Sequence, residues 1–340
     1  MSFELPTLRV ALAGFTQEQQ DRLAVMLPAV SAMGLAWEFG KVGEADAFWI
    51  NGARTQLLAD GTLRIASGIP AGRSIQINLD EVDRPVAFAT PLPRSFEPAF
   101  TFDAARQDSV AKVVERMEQL LKPLVAQFCL ASQILEQEGA LRARNYHVTG
   151  AMGELVAVVN FQGEVGVLPT ATPLDFDGSM WKVQPVEAGN VPDHFTRTTL
   201  SQLMWQYVLR SKRDVLPRRY RTEMLYFRRA PRVPQRMVSD SHLLVLRELA
   251  AEPGRFTDLQ QRTGLLAPHL ARDLAALYLV GAVTSNPRRA TRAATASSST
   301  DSTQGTSAMP SGLGSEASRQ LLRPAPGAQD LTAPAPMSLE

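Results

Sequence analysis

The chain has 340 residues, of which 45% are hydrophobic, and its 35 Lys and Arg are balanced by 34 Asp and Glu to a formal net charge of +1. The length predicts two or three domains, and the hydrophobic fraction predicts that most of the chain folds around a core. So small a net charge excludes a general attraction to nucleic acid or membrane, and any such binding must come from local clusters.

Targeting and redox features favour a cytoplasmic protein. Cys129 is the single cysteine, which excludes an internal disulfide, and it lies in an apolar helical run, where we expect a small buried side chain. The N-terminus contains Glu4 and Pro6 and lacks the apolar segment of a signal peptide. No stretch approaches the about 18 apolar residues of a membrane span. We therefore expect a cytoplasmic protein with no membrane partner.

The first 125 residues alternate short apolar runs with amphipathic stretches. Thr16 is a candidate N-cap for a helix after the first strand. A long amphipathic helix is predicted over 104–136, and Lys122 and Pro123 divide it in two. Between residues 51 and 73 we expect a short helix and a small hairpin. This alternation predicts an α/β domain with a mainly parallel sheet covered by helices. Its strands are predicted at 8–13, 35–39, 47–50, 74–79 and 85–89.

This order of strands and helices resembles the receiver domain of bacterial response regulators. That family holds Mg²⁺ with an acidic pair after the first strand, accepts phosphate on an aspartate ending the third, and has a lysine after the fifth. Here residues 14–16 and 90–94 contain neither the carboxylates nor the lysine, and Asn51 ends the third strand. The resemblance therefore implies a pseudo-receiver, with a degenerate phosphoacceptor position at Asn51, that acts as a docking or dimerisation surface. An unrelated small α/β domain is the alternative.

In the middle of the chain, short apolar runs typical of strands replace the helical spacing of apolar residues. Apolar runs at 155–159 and 165–168 flank a turn at 160–163 and predict a hairpin, and 180–186 is a further strand candidate. Asp193 is a candidate N-cap for a helix that continues through Val208. We expect a small β-rich region followed by a helix.

Residues 242–284 resemble a winged helix-turn-helix module. Three helices are predicted at 242–251, 256–265 and 268–281, and 282–284 would begin a wing strand. The third helix offers His269, Arg272 and Asp273 near its start, a weak set for recognising base edges. Fold alone does not give DNA binding. Beyond residue 286 the chain is rich in Ser, Thr, Ala, Pro and Gly, which predicts a disordered tail.

Basic residues are concentrated between 210 and 236, where ten positive side chains face two negative ones, and aromatic residues lie among them. Such a cluster can bind nucleic acid, an acidic protein or a nucleotide ligand, or it can be a solvated linker. The candidate binding residues are Arg210, Lys212, Arg213, Arg218, Arg219, Arg221, Arg228, Arg229, Arg232, Arg272, Arg288 and Arg289.

No catalytic, cofactor-binding or metal-binding residue is predicted. The four histidines stand apart from cysteines and carboxylates, and the chain has no nucleophile elbow, P-loop or dinucleotide-binding glycine motif. Arg228 and Arg232 have a spacing similar to the cyclic-di-GMP motif of PilZ domains, but residues 240–242 do not supply that family's second motif. A cyclic-dinucleotide effector is therefore a further alternative only.

The sequence as a whole predicts a non-catalytic bacterial regulatory or adaptor protein without cofactors. A receiver-like domain (1–125) would precede a connecting helix and β-rich region (126–192), a helix with a basic linker (193–237), a winged-helix domain (238–286) and the tail (287–340). The output would bind DNA or a protein partner, and a homodimer remains open. The alternatives are a pure protein-interaction scaffold and an enzyme with a scattered site.

Overall fold

The computed structural model describes residues 4–291, apart from 71, 94–96, 142–143, 162 and 186–189. Of the predicted disordered tail, residues 292–340 lie outside the described residues, and Pro287–Arg289 form a 3-10 turn. The helices are α1 (Gln17–Met26), α2 (Gln107–Leu120), α3 (Lys122–Glu136), α4 (Pro173–Phe176), α5 (Leu200–Arg210), α6 (Arg219–Thr222), α7 (Asp240–Ala251), α8 (Phe256–Thr263) and α9 (Ala267–Leu279). The strands are β1 (Thr7–Ala13), β2 (Ala36–Phe39), β3 (Ala47–Asn51), β4 (Thr55–Leu57), β5 (Thr62–Ile65), β6 (Ile75–Asn78), β7 (Val86–Ala89), β8 (Thr101–Phe102), β9 (Asn145–Thr149), β10 (Leu155–Asn160), β11 (Glu164–Val167), β12 (Met180–Gln184), β13 (Thr196–Thr199), β14 (Tyr226–Phe227) and β15 (Val283–Thr284).

Five parallel strands form the N-terminal sheet, in the order β2-β1-β3-β7-β8. The central strand β3 is buried at all five of its residues. A parallel sheet is covered on both faces, so its inner strands are apolar without alternation. The predicted parallel sheet with helices is confirmed.

The two faces of this sheet are covered by different layers. Leu8 and Trp49 on one face share a core with buried residues of α1 and α2. Ile50 and Phe88 on the other face pack against β5 and β6, which belong to a small antiparallel sheet ordered β4-β5-β6. Successive side chains of a strand point to opposite faces, which explains why Trp49 and Ile50 lie in different layers.

The expectation that residues 74–79 form a strand of the parallel sheet is wrong. β6 does form there, but it pairs antiparallel with β5. The fourth parallel strand is therefore β7, and the fifth is the short β8, which the sequence does not indicate. Ile75 and Ile77 alternate with polar Gln76 and Asn78, which is the pattern of a strand with one face in contact with water. The hairpin expected between residues 51 and 73 is present as β4 and β5.

The middle of the chain forms a second sheet of five antiparallel strands, ordered β12-β9-β10-β11-β13. The predicted hairpin corresponds to β10 and β11.

The predicted long helix is divided at Leu121 into α2 and α3, with Pro123 in the first turn of α3, where a missing N–H costs nothing. Cys129 lies fully buried in α3, and burial raises the pKa of its thiol to about 12, so it acts as an apolar side chain.

The helix expected to begin at Asp193 begins instead at Leu200. Thr199 is its N-cap: the Thr199 hydroxyl accepts a hydrogen bond from the Gln202 N–H at 3.2 Å, and the Gln202 side chain accepts one from the Thr199 N–H at 3.2 Å. The preceding residues form β13, because three of its four residues are β-branched threonines.

Three helices and a small sheet form the C-terminal unit. α8 ends at Gly264, whose φ of 68° is the left-handed conformation that glycine adopts freely. β15 pairs with β14, which precedes α7, and Leu225 forms a bridge with Gly254 between α7 and α8. The strand partner of β15 therefore comes from the basic linker upstream of the three helices.

A buried carboxylate fixes α2 against the N-terminal sheet. Glu118 is 0% exposed and accepts hydrogen bonds from the Ser31 hydroxyl at 2.5 Å and from the Ala32 and Met33 N–H groups at 3.2 and 3.0 Å. Its Oε1 also accepts a bond from the Trp37 indole at 3.0 Å. A buried carboxylate is tolerated only when donors surround it. Glu118 thus connects α2 to the loop before β2.

We expect Glu118→Gln to lower the free energy of unfolding by about 2 kcal/mol or more, because the amide places an N–H group against existing donors. Urea denaturation measures the change. Glu115→Gln, on the exposed side of the same helix, is the matched control and should change stability by less than about 0.5 kcal/mol. Equal effects of the two substitutions would contradict the assigned role of Glu118.

Candidate functional site

Asn51 lies at the carboxyl edge of the parallel sheet, where the resemblance to receiver domains predicts the degenerate phosphoacceptor position. Asn51 is buried, and its Nδ2 donates to the Gly14 carbonyl at 3.1 Å and to Gln19 Oε1 at 3.3 Å. Its Oδ1 accepts a hydrogen bond from the Ala53 N–H at 3.2 Å. Both ends of the amide are therefore used in holding the turns after β1 and β3.

Neighbouring side-chain and backbone atoms leave little space at this edge. A Cβ atom on Gly14, which has a φ of 79°, would lie 3.0 Å from Ile65 Cγ2. A Cβ atom on Gly52 would lie 2.6 Å from the Ala89 carbonyl oxygen. The edge is a packed junction between the two N-terminal sheets.

We expect Asn51→Asp to lower the free energy of unfolding by about 1–3 kcal/mol, because a carboxylate cannot donate to the Gly14 and Gln19 oxygens. Asn78→Asp is the control, since Asn78 also caps a 3-10 turn through its Oδ1, which accepts from the Asp80 N–H. That acceptor survives the substitution.

Mass spectrometry after incubation with acetyl phosphate and Mg²⁺ should give no phosphorylated species for the native chain or for Asn51→Asp. A mass increase of one phosphoryl group would contradict the prediction that the N-terminal unit does not accept phosphate.

The predicted basic residues do not form one surface. Arg210 is buried, and its guanidinium pairs with the buried Asp46 at the start of β3, 164 residues earlier. Arg229 donates to the Gly281 and Val280 carbonyls at 3.2 and 3.1 Å, so it caps the end of α9. Burial, and then the charges of Arg232 and Arg228, lower the pKa of Arg229.

Several other candidates are paired with carboxylates or aromatic rings. Such exposed pairs contribute little stability, but they reduce the charge available to a ligand. The ion pairs are Arg213 with Glu136 (3.2 Å) and Arg221 with Asp214 (2.5 Å). Arg236, a further arginine of the basic stretch, pairs with Asp83 (3.3 Å). The guanidinium groups of Arg219 and Arg221 lie 5.8 Å and 5.4 Å from the ring centroids of Tyr220 and Phe256. The remaining candidates, Lys212, Arg218, Arg228, Arg232, Arg272, Arg288 and Arg289, are exposed or half-exposed.

Helix α9, the predicted recognition helix, is packed inside the protein. Its Leu270, Leu274 and Leu277 face the C-terminal core, as expected. The helix also packs extensively against α5, and its Ala271 and Ala275 are buried as well. Small side chains allow two helices to approach closely. Residues exposed near its start include His269 and Arg272.

The structure brings together a polar cluster that the sequence reasoning missed. His242 begins α7 and Asp273 lies on α9; both are 2% exposed. His242 Nε2 lies 3.5 Å from Asp273 Oδ1, and His269 Nε2 lies 3.7 Å from Asp273 Oδ2. The expectation that the histidines stand apart from carboxylates is wrong for these two. The spacing of His269 and Asp273, one helical turn apart, was the available signal.

Ser239 has a structural role in this cluster. Its hydroxyl contacts His242 Nδ1, and its N–H donates to the same nitrogen at 3.3 Å, which forms a capping box at the start of α7. Burial lowers the pKa of His242 despite the opposing charge of Asp273. The imidazole is therefore neutral at pH 7, with Nδ1 as the acceptor and Nε2 carrying the proton.

No protein-family model matches the chain, and no curated protein or solved structure is significantly similar to it. Within the described ranges, no helix combines the length and apolar character needed to cross a bilayer. In the same part of the chain, no three His, Cys, Asp or Glu side chains are grouped so that they could hold a metal ion. Function therefore has to be inferred from the geometry of these residues.

Proposed function

We propose that the chain is a non-catalytic regulatory or adaptor protein that acts through contact with protein partners. The observation that carries this proposal is the packing of α9 against α5. This packing favours a protein-interaction scaffold over a protein whose C-terminal helices bind DNA.

The packing of α9 restricts its access to DNA. An α-helix with its side chains is about 10–12 Å across, and the major groove of B-DNA is about 12 Å wide. A recognition helix must therefore stand free of other elements along the face that enters the groove. α5 lies alongside α9, and Ala271, Asp273 and residues 274–277 are buried, so only the first turns of α9 are accessible to a groove.

Ion pairing and helix capping withdraw part of the basic cluster from DNA binding. A protein that binds DNA through phosphates needs several unpaired cations on one face. Arg210, Arg213, Arg221 and Arg236 are each paired with a carboxylate, and Arg229 is used as a helix cap.

The N-terminal unit supports a role that does not depend on phosphorylation. Its strand order, second-first-third-fourth-fifth, is that of flavodoxin-like folds, which agrees with the resemblance to receiver domains. Asn51 occupies the acceptor position and is fully engaged in hydrogen bonds. Such a unit transmits information by binding.

Exposed apolar side chains supply a surface of the kind that binds protein. Met152, Leu174 and Met180 are 96%, 78% and 52% exposed. Met180 begins the edge strand β12 opposite Thr149, next to the turn that carries Met152. Exposed apolar groups beside a free strand edge favour the addition of a partner's strand.

A DNA titration of the full chain at several salt concentrations tests the proposal. We expect only weak, salt-sensitive binding without sequence preference, with a dissociation constant in the non-specific range of about 10⁻⁴ to 10⁻⁶ M. The variant His269→Ala with Arg272→Ala should bind DNA as the native chain does, and Arg288→Ala is the control outside α9. Nanomolar binding that is lost in the first variant but kept in the second would overturn the proposal.

A further inference from the structure

A cavity of about 490 Å³ lies where the N-terminal sheet, α5 and the C-terminal helices meet. This volume is within the range of pockets that bind small molecules. The side chains that matter here are Arg9 of β1, Lys41, Arg210 of α5, and His242, Arg272 and Asp273 of the C-terminal unit.

Two arginines, Arg9 and Arg272, line this cavity. Burial, and then the positive charge of Arg272, lower the pKa of Arg9, whereas the charges of Asp46 and Glu44 act in the opposite direction. Arg9 Nη1 donates to the Leu209 carbonyl at 2.7 Å, and Arg272 is exposed. Two cations held together in a partly buried place repel each other unless an anion lies between them.

Two of the five carboxylates that line the cavity are paired with arginines. Asp46 is paired with Arg210 and also accepts a hydrogen bond from the Arg9 N–H at 2.9 Å. Asp83 pairs with Arg236. Asp273 lies between the two imidazoles.

Two buried polar atoms in the wall of the cavity lack a hydrogen bond, although each lies within ion-pair distance of another group. Within the described part of the chain, His242 Nε2 and Asp273 Oδ2 are buried and form no hydrogen bond. A buried polar atom left without a hydrogen bond costs free energy, and a bound ligand can supply the missing partner. The neutral imidazole offers an N–H donor, and the carboxylate offers an acceptor for an N–H or O–H group.

We propose that this cavity binds a small phosphate-bearing molecule of about nucleotide size, whose phosphate bridges Arg9 and Arg272. Phosphate oxygens accept the charge-assisted hydrogen bonds that arginine donates. Lys41 adds a further positive charge at the cavity, and Asp273 and His242 contact the remainder of the ligand. Because the phosphate contacts both the N-terminal sheet and α9, its binding stabilises their association. The proposal adds a small-molecule input to the proposed adaptor and does not require DNA binding or its absence.

Calorimetric titration and thermal unfolding of the full chain, with pyrophosphate and adenosine monophosphate as probes, test this site. We expect both probes to raise the midpoint of unfolding. Arg272→Gln should weaken their binding about tenfold or more, because one charge-assisted contact is lost. Without a probe, the same variant should unfold at the native temperature or above it, since the repulsion with Arg9 is removed. If Arg272 served only to stabilise the fold, Arg272→Gln would instead unfold at a lower temperature than the native chain.

Arg288→Gln, which removes an exposed arginine outside the cavity, is the matched control and should bind the probes as the native chain does. Sodium chloride at equal ionic strength separates specific binding from screening. Binding of pyrophosphate alone would assign the site to an inorganic phosphate, and tighter binding of the nucleotide would assign it to a nucleotide. Equal affinities of the native chain and Arg272→Gln, or an equal stabilisation by sodium chloride, would overturn the proposal.

Discussion

Helix α5 holds the three folded parts of the chain together, and their arrangement depends on its burial. Arg210 pairs with Asp46 of the N-terminal unit, and the Trp205 indole donates to the Met237 carbonyl at 3.1 Å, just before α7. The Tyr207 hydroxyl donates to Glu4 at 2.7 Å, ahead of β1. Burial raises the pKa of Tyr207 to about 12, so the phenol keeps its proton as a donor at neutral pH. A helix that is buried around most of its circumference cannot leave one neighbour without exposing apolar surface.

The ion pair between Arg210 and Asp46 specifies this arrangement more than it stabilises it. Two buried charges lose hydration, and their attraction offsets only part of that cost. Separating them, however, would leave an uncompensated charge on each side of the interface. The pair therefore selects one relative position of α5 and β3. Since α9 packs on α5, the same contact also determines how the C-terminal helices face the N-terminal sheet.

The helices and strands could be predicted from the sequence, because burial of one or both faces of an element spaces its apolar residues in a recognisable pattern. The continuous apolar run at 47–50 predicted a strand, and this strand, β3, is central in the parallel sheet. The alternation of Ile75 and Ile77 with polar residues also indicates a strand, but a period of two does not show which sheet that strand joins. Thr199 was missed as an N-cap because Asp193 offered an equally good signal six residues earlier. Thr and Asp occur both at N-caps and in turns, so only the presence of β13 between Asp193 and α5 shows that the helix begins after Thr199.

The candidate site could not be predicted in the same way, since its contacts join residues far apart in the chain. Arg210 contributed to a prediction of nucleic-acid binding because charge was counted along the sequence, yet its partner Asp46 is 164 residues away. Local charge density describes an extended segment well, because its side chains meet only solvent. In a folded segment, the charge that remains for a ligand depends on which carboxylates the fold brings near. Arg9 contributes nothing to any basic cluster in the sequence, but it lines the same cavity as Arg272, where we propose that a phosphate binds both.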